Sequence, residues 1–245
     1  MKMKSKRQIM DEVRNVLAAD CVCRPSDFAK KGVVVVHARE MPGRRSFPFR
    51  KRQLLIITMG DAAVISCDGD SVAWMEEQAG RLRRDEVFDA AFIAKLQSFV
   101  ERDRLTVTGP SLKYVCSPFT FRPATCGEVK LSIVGKEAIA AILEELQGHG
   151  LHARDELAAV ARAGERIVGV AGASADSETL WQIGVEVAED CRGKGIGTAL
   201  VSALTEQVLQ RGKIPYYSTA ASNLHSGAIA LKLGYWPAWT EMYAR

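Results

Sequence analysis

The stretch VEVAEDCRGKGIGT, residues Val185–Thr198, decides the fold that we predict for this chain. Residues 181–187, which lead into it, alternate apolar and polar side chains with the period of a half-buried strand. After the glycines, one face of a helix running to about residue 210 is predicted by apolar side chains four residues apart, Leu200, Leu204 and Val208. The stretch therefore predicts a strand, a glycine-rich turn and a helix in that order.

The turn carries glycine at every second position, at Gly193, Gly195 and Gly197. Backbone N–H groups at the start of a helix, together with the helix dipole, favour an anion such as phosphate. A nucleotide P-loop is excluded because Lys194 is followed by glycine without the required spacing. The dinucleotide fingerprint is disfavoured because it requires a third glycine where Thr198 stands.

The pattern that does fit is [QR]-x-x-G-x-[GA], which Arg192–Gly197 match directly after the predicted strand. A second strand is predicted at 213–219, and Asn223 then opens a short helix that ends at Leu233-Gly234-Tyr235. Together these motifs resemble the GNAT superfamily of acetyl-coenzyme A dependent N-acetyltransferases. A glycine turn with a structural role alone is the alternative for the six residues taken by themselves.

The order of elements extends this resemblance over about half of the chain. The resemblance implies an α/β (α+β) fold, a GNAT-type acyl-CoA N-acyltransferase fold with a mixed, mostly antiparallel sheet. Before the strand at 180–187, the sequence predicts a strand at 129–134, helices at 136–146 and 153–157, and a hairpin of 158–163 with 166–173. Residues 117–127 contain Pro118, Pro123 and Gly127 without a sustained period, so we expect a domain boundary there. The GNAT domain is then 126–245.

Residues 1–125 lie outside the resemblance and predict a smaller α+β N-terminal domain. The predicted elements are a helix at 5–18, a strand at 33–37, a hairpin of 54–59 and 62–66 around Gly60-Asp61, helices at 72–80 and 85–101, and strands at 105–108 and 113–116 around Gly109-Pro110. Aromatic side chains of the second helix, such as Phe92, are expected in the core. A divergent GNAT-like lobe is one interpretation of this domain.

The resemblance implies direct attack of an amine on the thioester of acetyl-coenzyme A in a ternary complex. Backbone N–H groups would bind the pyrophosphate at Arg192, Gly193, Lys194, Gly195, Ile196, Gly197 and Thr198. Val185 and Val187 would meet the pantetheine, and the N–H of Val187 would donate to the thioester oxygen. Asn223 would contact the pantetheine or a structural water.

The sequence also offers candidates for the catalytic base and the catalytic acid. A primary amine has a pKa of about 10, so a base must accept its proton, and Glu186 is our first candidate. The alternative for Glu186 is an ordinary surface carboxylate, and Glu189 and Asp190 rank lower. The tyrosine that serves many family members as general acid is replaced by Ala230. Tyr217, Ser226 and Tyr235 are the candidate replacements, with Tyr235 expected in the core. A thiol that leaves without an acid is the alternative.

Composition and charge limit the other classes of function. The chain has 245 residues, 47% of them hydrophobic, and a formal net charge of +4, which divides into +7 for residues 1–125 and −3 for 126–245. We expect a cytoplasmic protein because no run is long enough for a membrane helix and the basic start lacks the apolar segment of a signal peptide. The six cysteines are expected to be reduced thiols, and their spacing predicts no metal site.

The basic excess of the first half is concentrated at Arg44, Arg45, Arg50, Lys51 and Arg52. A solvated face is the favoured interpretation, and an anionic partner or the phosphates of the coenzyme are the alternatives. A nucleic-acid partner is disfavoured because aromatic residues among these charges are few.

Three functions follow from the sequence. The first is an N-acetyltransferase that takes its acetyl group from acetyl-CoA and acts on a small or amino-acid-like amine. The second is a coenzyme A binding regulatory module without a catalytic acid, and the third is acetylation of a protein or RNA bound by the basic lobe. The sequence leaves the acceptor, the role of residues 1–125 and a homodimer open.

Overall fold

A computed structural model describes residues 4–46, 54–127, 129–146 and 150–245. The chain divides into two compact units, each built from more than one segment. We call the first the GNAT-like unit; it comprises Met1–Ile9, Tyr114–Thr219 and Asn223–Pro237. We call the second the amino-terminal unit; it comprises Met10–Lys113, Ala220–Ser222 and Ala238–Arg245. The domain boundary expected at residues 125 and 126 stays a prediction.

The described parts of the chain contain both helices and strands. The helices are α1 (Lys6–Cys21), α2 (Gly69–Ala79), α3 (Ala90–Val100), α4 (Lys136–Glu145), α5 (Ile196–Gln210) and α6 (Leu224–Lys232). The strands are β1 (Gly32–His37), β2 (Leu55–Thr58), β3 (Ala62–Cys67), β4 (Val107–Val115), β5 (Lys130–Gly135), β6 (Asp155–Ala163), β7 (Arg166–Ala175), β8 (Leu180–Val187), β9 (Ile214–Ala220) and β10 (Trp236–Ala244). Among the residues described, no helix is both long and apolar enough to span a membrane.

The sheet of the GNAT-like unit has the strand order β9-β8-β7-β6-β5. β8 runs parallel to β9, while the pairs β7–β8, β6–β7 and β5–β6 are antiparallel. This open, mixed and mostly antiparallel sheet confirms the predicted fold class. The strand predicted at 180–187 has the observed bounds of β8.

Helix α5 packs on one face of this sheet through the apolar face that its sequence predicts. Leu200, Leu204 and Val208 are each 0% exposed. A Cβ added at Gly169 of β7 would meet Leu200 Cδ1 at 3.0 Å and Ile196 Cγ2 at 3.3 Å. The glycine therefore lets the helix approach the sheet closely, which fixes the helix amino terminus beside the end of β8.

The amino-terminal unit is a second α+β structure. β3 pairs with β1 in parallel and with β2 in antiparallel register, and β10 pairs with β2. Its core contains residues of the sheet and of α2 and α3, among them Ile56, Ile65, Met75, Phe92, Leu96 and Met242. The prediction of an α+β arrangement, with buried Phe92, agrees with these elements.

A buried group of charges lies inside the amino-terminal unit. Arg45 donates from its backbone N–H and Nε to Asp20, at 2.8 and 2.6 Å, and from Nη2 to Glu241 at 2.8 Å. Lys113 Nζ lies 2.8 Å from Glu241 Oε1, and Trp239 Nε1 donates to Glu241 Oε2 at 2.8 Å. Burial alone would raise the pKa of Glu241, but the charges of Arg45 and Lys113 lower it to about 2.

The buried ion pairs of Arg45 contradict one expectation from the sequence. Arg45 is 2% exposed, so it does not belong to the solvated basic face that the sequence predicted. Its sequence neighbour Arg44 donates from Nη1 to the carbonyl oxygen of Arg39 at 3.2 Å. The other three basic residues of that group, Arg50, Lys51 and Arg52, lie outside the described residues.

Several predicted elements were wrong in detail. The helix predicted at 85–101 is a 3₁₀ turn, Asp85–Phe88, followed by α3, because Asp89 is extended with ψ of 149°. The two strands predicted around Gly109-Pro110 are one strand, β4. Gly109 has φ of +112°, and its missing Cβ would lie 2.8 Å from the carbonyl oxygen of Glu241, so the glycine allows a close approach rather than a turn. The turn between β2 and β3 spans Met59–Asp61 and not two residues.

The helix predicted at 153–157 was also wrong, and this error concerns the site. Asp155 and Leu157 belong to β6 and pair with Ser174 and Ala173 of β7, with a register shift between the two pairs. Five residues are too few to show the period of a helix or of a strand, and here pairing with β7 decides.

Candidate active site

An opening in the sheet of the GNAT-like unit lies where β8 and β9 part. The pairing of these parallel strands runs from Leu180 with Ile214 to Ile183 with Tyr217. β8 continues to Val187 and β9 to Ala220 beyond the last of these pairs. The end of β8 therefore has backbone groups that β9 does not pair with.

The backbone N–H of Val187 points into this opening. On the other edge of β8, the N–H of Ala188 donates to the carbonyl oxygen of Val168 at 2.9 Å. Val187 stands opposite Gly169 in the same antiparallel pair. Hydrogen-bonded and non-hydrogen-bonded pairs alternate along such a ladder, so Val187 is not bonded to β7 and its N–H faces the β9 edge.

The glycine-rich turn follows directly after β8 and a short 3₁₀ turn at Glu189–Cys191. Gly193 has φ of +79° and Gly195 has φ of +84°, a left-handed backbone that favours glycine. A Cβ added at either residue would meet nothing within 4 Å, so the space above the turn is open. Residues 192–195 are exposed.

Helix α5 starts from this turn with Gly195 as its N-cap residue. The N–H of Ala199 donates to the carbonyl oxygen of Gly195 at 3.1 Å, as the first full turn of a helix requires. The amides that precede Ala199 in the turn have no place in the helix ladder and can bind an anion. The sequence prediction of a glycine-rich turn at a helix start is confirmed.

The turn also contacts the end of β8. A Cβ at Gly197 would lie 3.4 Å from Val187 Cγ2 and 4.0 Å from Val185 Cγ2. Arg192 Nε donates to the carbonyl oxygen of Val187 at 3.1 Å. The structure thus brings the predicted pyrophosphate turn and the predicted pantetheine strand together. Cys126, which sequence reasoning did not assign to the site, lies with Sγ 3.5 Å from the carbonyl oxygen of Lys194.

The other side of the opening holds three of the predicted side chains. Asn223 is the N-cap of α6, and its Oδ1 accepts the N–H of Ser226 at 3.1 Å. Tyr217, 2% exposed, forms a side-chain hydrogen bond with Ser226. Burial raises the pKa of Tyr217, and the bond to Ser226 offsets this in part. Both candidate proton donors therefore lie at one place, and the phenol is protonated at neutral pH.

Ala230 and Tyr235 are parts of the core. Ala230 is 0% exposed, and the hydroxyl of Tyr235 lies 2.6 Å from Thr205 Oγ1. Burial raises the pKa of Tyr235 well above its ordinary value. Tyr235 was one of the three candidate replacements for the missing acid. Its hydroxyl instead forms a buried hydrogen bond with Thr205 of α5.

Glu186 lies on the face of the sheet opposite to Val185 and Val187, as its alternation predicted. Its side chain is exposed and lines a cavity of about 310 Å³. Glu189 is exposed, and Asp190 forms a two-pronged ion pair with Arg166 at 2.7 and 2.9 Å. Among these three carboxylates, the one that lines the cavity is Glu186.

The cavity is bounded by the segment before β6 and by the middle of β7 and β8. Asp155 is 3% exposed, and its Oδ2 accepts the N–H of His152 at 2.8 Å. A Cβ at Gly172 would lie 2.1 Å from Asp155 Oδ2, so this carboxylate lies directly against the backbone of β7. Burial raises the pKa of Asp155, and its hydrogen bond to His152 acts in the opposite direction.

A second buried carboxylate, Asp176, is held by polar partners behind the cavity. Ser174 Oγ donates to Asp176 Oδ1 at 2.9 Å, and Arg154 Nη1 lies 3.2 Å from the same oxygen. The hydroxyl of Tyr216 donates to Asp176 Oδ2 and lies 3.0 Å from Gln182 Oε1. Sequence reasoning missed these residues because it assigned 153–157 to a helix. The signal it could have used is the polar residue Asp155 at the edge of an apolar run.

Among the described residues, the cysteine and acidic side chains form neither a disulfide nor a metal site. All six cysteines are free. Within the described ranges, no group of three or more His, Cys, Asp or Glu side chains is placed to hold a metal ion.

Comparisons with known proteins agree with this geometry. The model of the Acetyltransferase (GNAT) family matches residues 137–235. A GCN5-related N-acetyltransferase from Kribbella flavida aligns over 96% of this chain and 95% of its own, at 14% identity and a TM-score of 0.51. This likeness shows a shared fold alone. No curated protein matches the chain.

Two further structures align with a smaller part of the chain. A GCN5-related N-acetyltransferase-like protein from Streptococcus suis covers 63% of this chain and 68% of its own, at 19% identity and a TM-score of 0.46. An acetyltransferase of the GNAT family from Colwellia psychrerythraea covers 57% and 56%, at 16% identity and a TM-score of 0.41. This chain thus spans 68% of the length of the first of these proteins and 56% of the length of the second. By the family match, residues 137–235 are similar to a GNAT acetyltransferase domain, and this similarity supports an acyltransferase.

Proposed function

We propose that the chain transfers an acetyl group from acetyl-coenzyme A to a primary amine of a small acceptor, by direct attack in a ternary complex. The observation that carries this proposal is the N–H of Val187, which faces the opening between β8 and β9 beside the glycine-rich turn. A donor held there is placed for the oxygen of a thioester that lies along β8.

The residues of the turn fit the diphosphate of coenzyme A. Gly193 and Gly195 leave open space above a left-handed backbone, and α5 starts from the turn. The amides of 193–198 would hold the pyrophosphate, and Val185 and Val187 would line the pantetheine. The N–H of Arg192, which the sequence also assigned to the pyrophosphate, instead donates to the carbonyl oxygen of Glu189 at 3.3 Å. Asn223 Oδ1 already accepts a hydrogen bond from α6, so its amide nitrogen is the atom left for a ligand. When bound, acetyl-coenzyme A supplies the acetyl group.

In the proposed reaction, the acceptor nitrogen forms a bond to the acetyl carbon while the bond between that carbon and sulfur breaks. Glu186 accepts the proton that the amine must lose, directly or through one water. The sulfur leaves with the electron pair of the broken bond and takes a proton from Tyr217. Because Tyr217 is protonated at neutral pH and bonded to Ser226, it can fill the role for which Ala230 has no side chain.

The same residues weigh against a regulatory module. That alternative rested on the missing acid at Ala230, and the phenol of Tyr217 provides a proton donor at the same opening. The alternative of a protein or RNA acceptor rested on the basic group of the first half, from which Arg45 is removed by burial. A cytoplasmic location and a homodimer stay predictions from the sequence.

Release of the coenzyme A thiol, measured with acetyl-coenzyme A and a panel of small amines, tests the proposal. We expect amine-dependent thiol release together with formation of the N-acetyl product. Binding of acetyl-coenzyme A without stimulation by any amine would overturn the proposed function and favour the module.

A further inference from the structure

We propose that Asp155 selects acceptors that carry a second positive charge besides the reacting amine. The inference rests on the proposed function and adds the chemical class of its acceptor. It concerns the cavity of about 310 Å³ between the segment before β6 and the strands β7 and β8. A cavity of this size admits a small molecule.

The carboxylate of Asp155 is built into the wall of this cavity. The residue is 3% exposed, and its Oδ2 accepts one hydrogen bond, from the N–H of His152 at 2.8 Å. Within the described part of the chain, no hydrogen-bond or ion-pair partner is found for Oδ1. A buried carboxylate without a cation is costly, whereas the same carboxylate bound to a cationic ligand is not. Its placement therefore points to a positively charged ligand.

Backbone geometry holds the carboxylate in place. Gly172 gives Asp155 its room, because a Cβ there would lie 2.1 Å from Oδ2 and 2.7 Å from Cγ. The hydrogen bond from His152 and the β6–β7 pairing of Asp155 with Ser174 fix the position from the other side. The side chain is thus set before any ligand arrives, as a selective site requires.

The charges around the cavity have a negative excess. Glu186 and Asp155 line it, as do the positively charged Arg154 and the titratable His152. Arg154 Nη1 lies 3.2 Å from Oδ1 of buried Asp176, and the charge of Arg154 also acts on Asp155 without an ion pair to it. Two carboxylates and one guanidinium thus line the cavity, so it favours a cationic molecule over an anionic one.

The two carboxylates that line the cavity are offset by about two residues in the direction of the strands. Asp155 lies against Gly172, which pairs with Gly184, and Glu186 is two residues further along the strand. This spacing corresponds to about 7 Å. Glu186 is nearer to Val187 and would receive the reacting amine, while Asp155 would bind the second cationic group. A short aliphatic diamine has its charges at such a spacing.

The test compares putrescine, a diamine with a four-carbon chain, with butylamine, which lacks the second amine. For the wild-type protein we expect kcat/KM for putrescine to exceed that for butylamine by about 10- to 100-fold. In Asp155→Asn the ratio of kcat/KM for putrescine to kcat/KM for butylamine should fall toward 1, through a higher KM for putrescine. Glu165→Gln, at the exposed turn between β6 and β7, is the matched control and should keep the preference.

The wild-type comparison keeps the inference falsifiable if Asp155→Asn does not fold. Equal kcat/KM for the two amines in the wild-type protein would overturn the role of Asp155 and leave the proposed acetyltransferase standing. An unchanged preference in folded Asp155→Asn would overturn it in the same way. If no amine stimulates thiol release, the proposed function itself fails, and the inference with it.

Discussion

Ser226 hydrogen-bonds the hydroxyl of Tyr217 at the point where β9 stops pairing with β8. One residue comes from the strand and the other from the first turn of α6, so the bond joins the two elements beside the opening. Burial raises the pKa of the phenol more than Ser226 lowers it. A protonated phenol with a fixed orientation is suited to give a proton to a leaving thiolate.

Tyr217→Phe should lower kcat by on the order of 100-fold, with little change in the KM for acetyl-coenzyme A, because the proton donor is lost and the ring remains. Steady-state kinetics with a fixed amine measure both constants. Tyr235→Phe is the control, since its hydroxyl lies 2.6 Å from Thr205 Oγ1 in the core. It should cost about 1 kcal/mol of stability and leave kcat unchanged. Equal kcat values for Tyr217→Phe and the wild-type protein would show that the thiolate needs no acid from Tyr217.

Glu186→Gln should lower kcat/KM for the amine by roughly 100-fold, since the amide cannot accept the proton. The loss should become smaller as the pH is raised toward the amine pKa of about 10, because more acceptor is then uncharged. Glu189→Gln, an exposed neighbour of similar chemistry, is the control and should behave like the wild-type protein. If both variants lose activity equally, or neither does, Glu186 is not the base.

Gly195→Ala should weaken coenzyme A binding by about tenfold, because a residue with Cβ resists φ of +84° and the amides of the turn shift. Isothermal titration of coenzyme A gives the dissociation constant. Gly164→Ala is a close control, with φ of +61° and nothing within 4 Å of the added Cβ, in the turn between β6 and β7. Both variants should lose about 1 kcal/mol of stability. A similar loss of affinity in the two would contradict the role of the turn.

Asp155→Asn should raise the free energy of unfolding at neutral pH. The folded protein raises the pKa of this carboxyl above 3.8, mainly through burial, so its ionised form destabilises the fold once the pH exceeds the folded pKa. The penalty disappears below the unfolded pKa, where the group is protonated in both states. The stability gain of the variant should therefore shrink as the pH falls toward 3.8. Denaturant unfolding across this pH range checks it, and a less stable variant at neutral pH would refute it.

Arg45→Met should destabilise the protein by about 3–5 kcal/mol, because it leaves Asp20 and Glu241 buried without their common partner. Arg44→Met at the neighbouring position is the control and should cost about 1 kcal/mol or less. Because the pKa of Glu241 is lowered to about 2, its ion pairs stabilise the fold above about pH 4.5, and this contribution is lost as the pH falls toward 2. Thermal unfolding of both variants at neutral pH distinguishes this network from a solvated face.

Sequence predicted the parts of the site that depend on local backbone. Alternation along 181–187 gave β8 and placed Glu186 on the face opposite to Val187, because successive side chains of a strand point to opposite faces. The glycines at 193 and 195 gave the left-handed turn, since few other residues accept that backbone. These features need no knowledge of distant partners.

The features that sequence missed depend on pairing and burial between distant segments. Asp155 was assigned to a helix because the five residues 153–157 are too few to show a distinctive period, and pairing with β7 made it part of a strand. Arg45 was assigned to a solvated face because its partners Asp20 and Glu241 are far away in sequence. Charge clusters in a sequence therefore do not distinguish a surface patch from a buried network.

The proposed function requires that the amides of the turn at 193–198 bind the diphosphate while the N–H of Val187 faces the thioester. A crystal structure with bound acetyl-coenzyme A measures the distances directly. The account predicts pyrophosphate oxygens within about 3.2 Å of backbone nitrogens of Gly193–Thr198, and the thioester oxygen within the same distance of Val187 N. A diphosphate bound elsewhere, with this turn solvated and Val187 N far from the thioester, would contradict it.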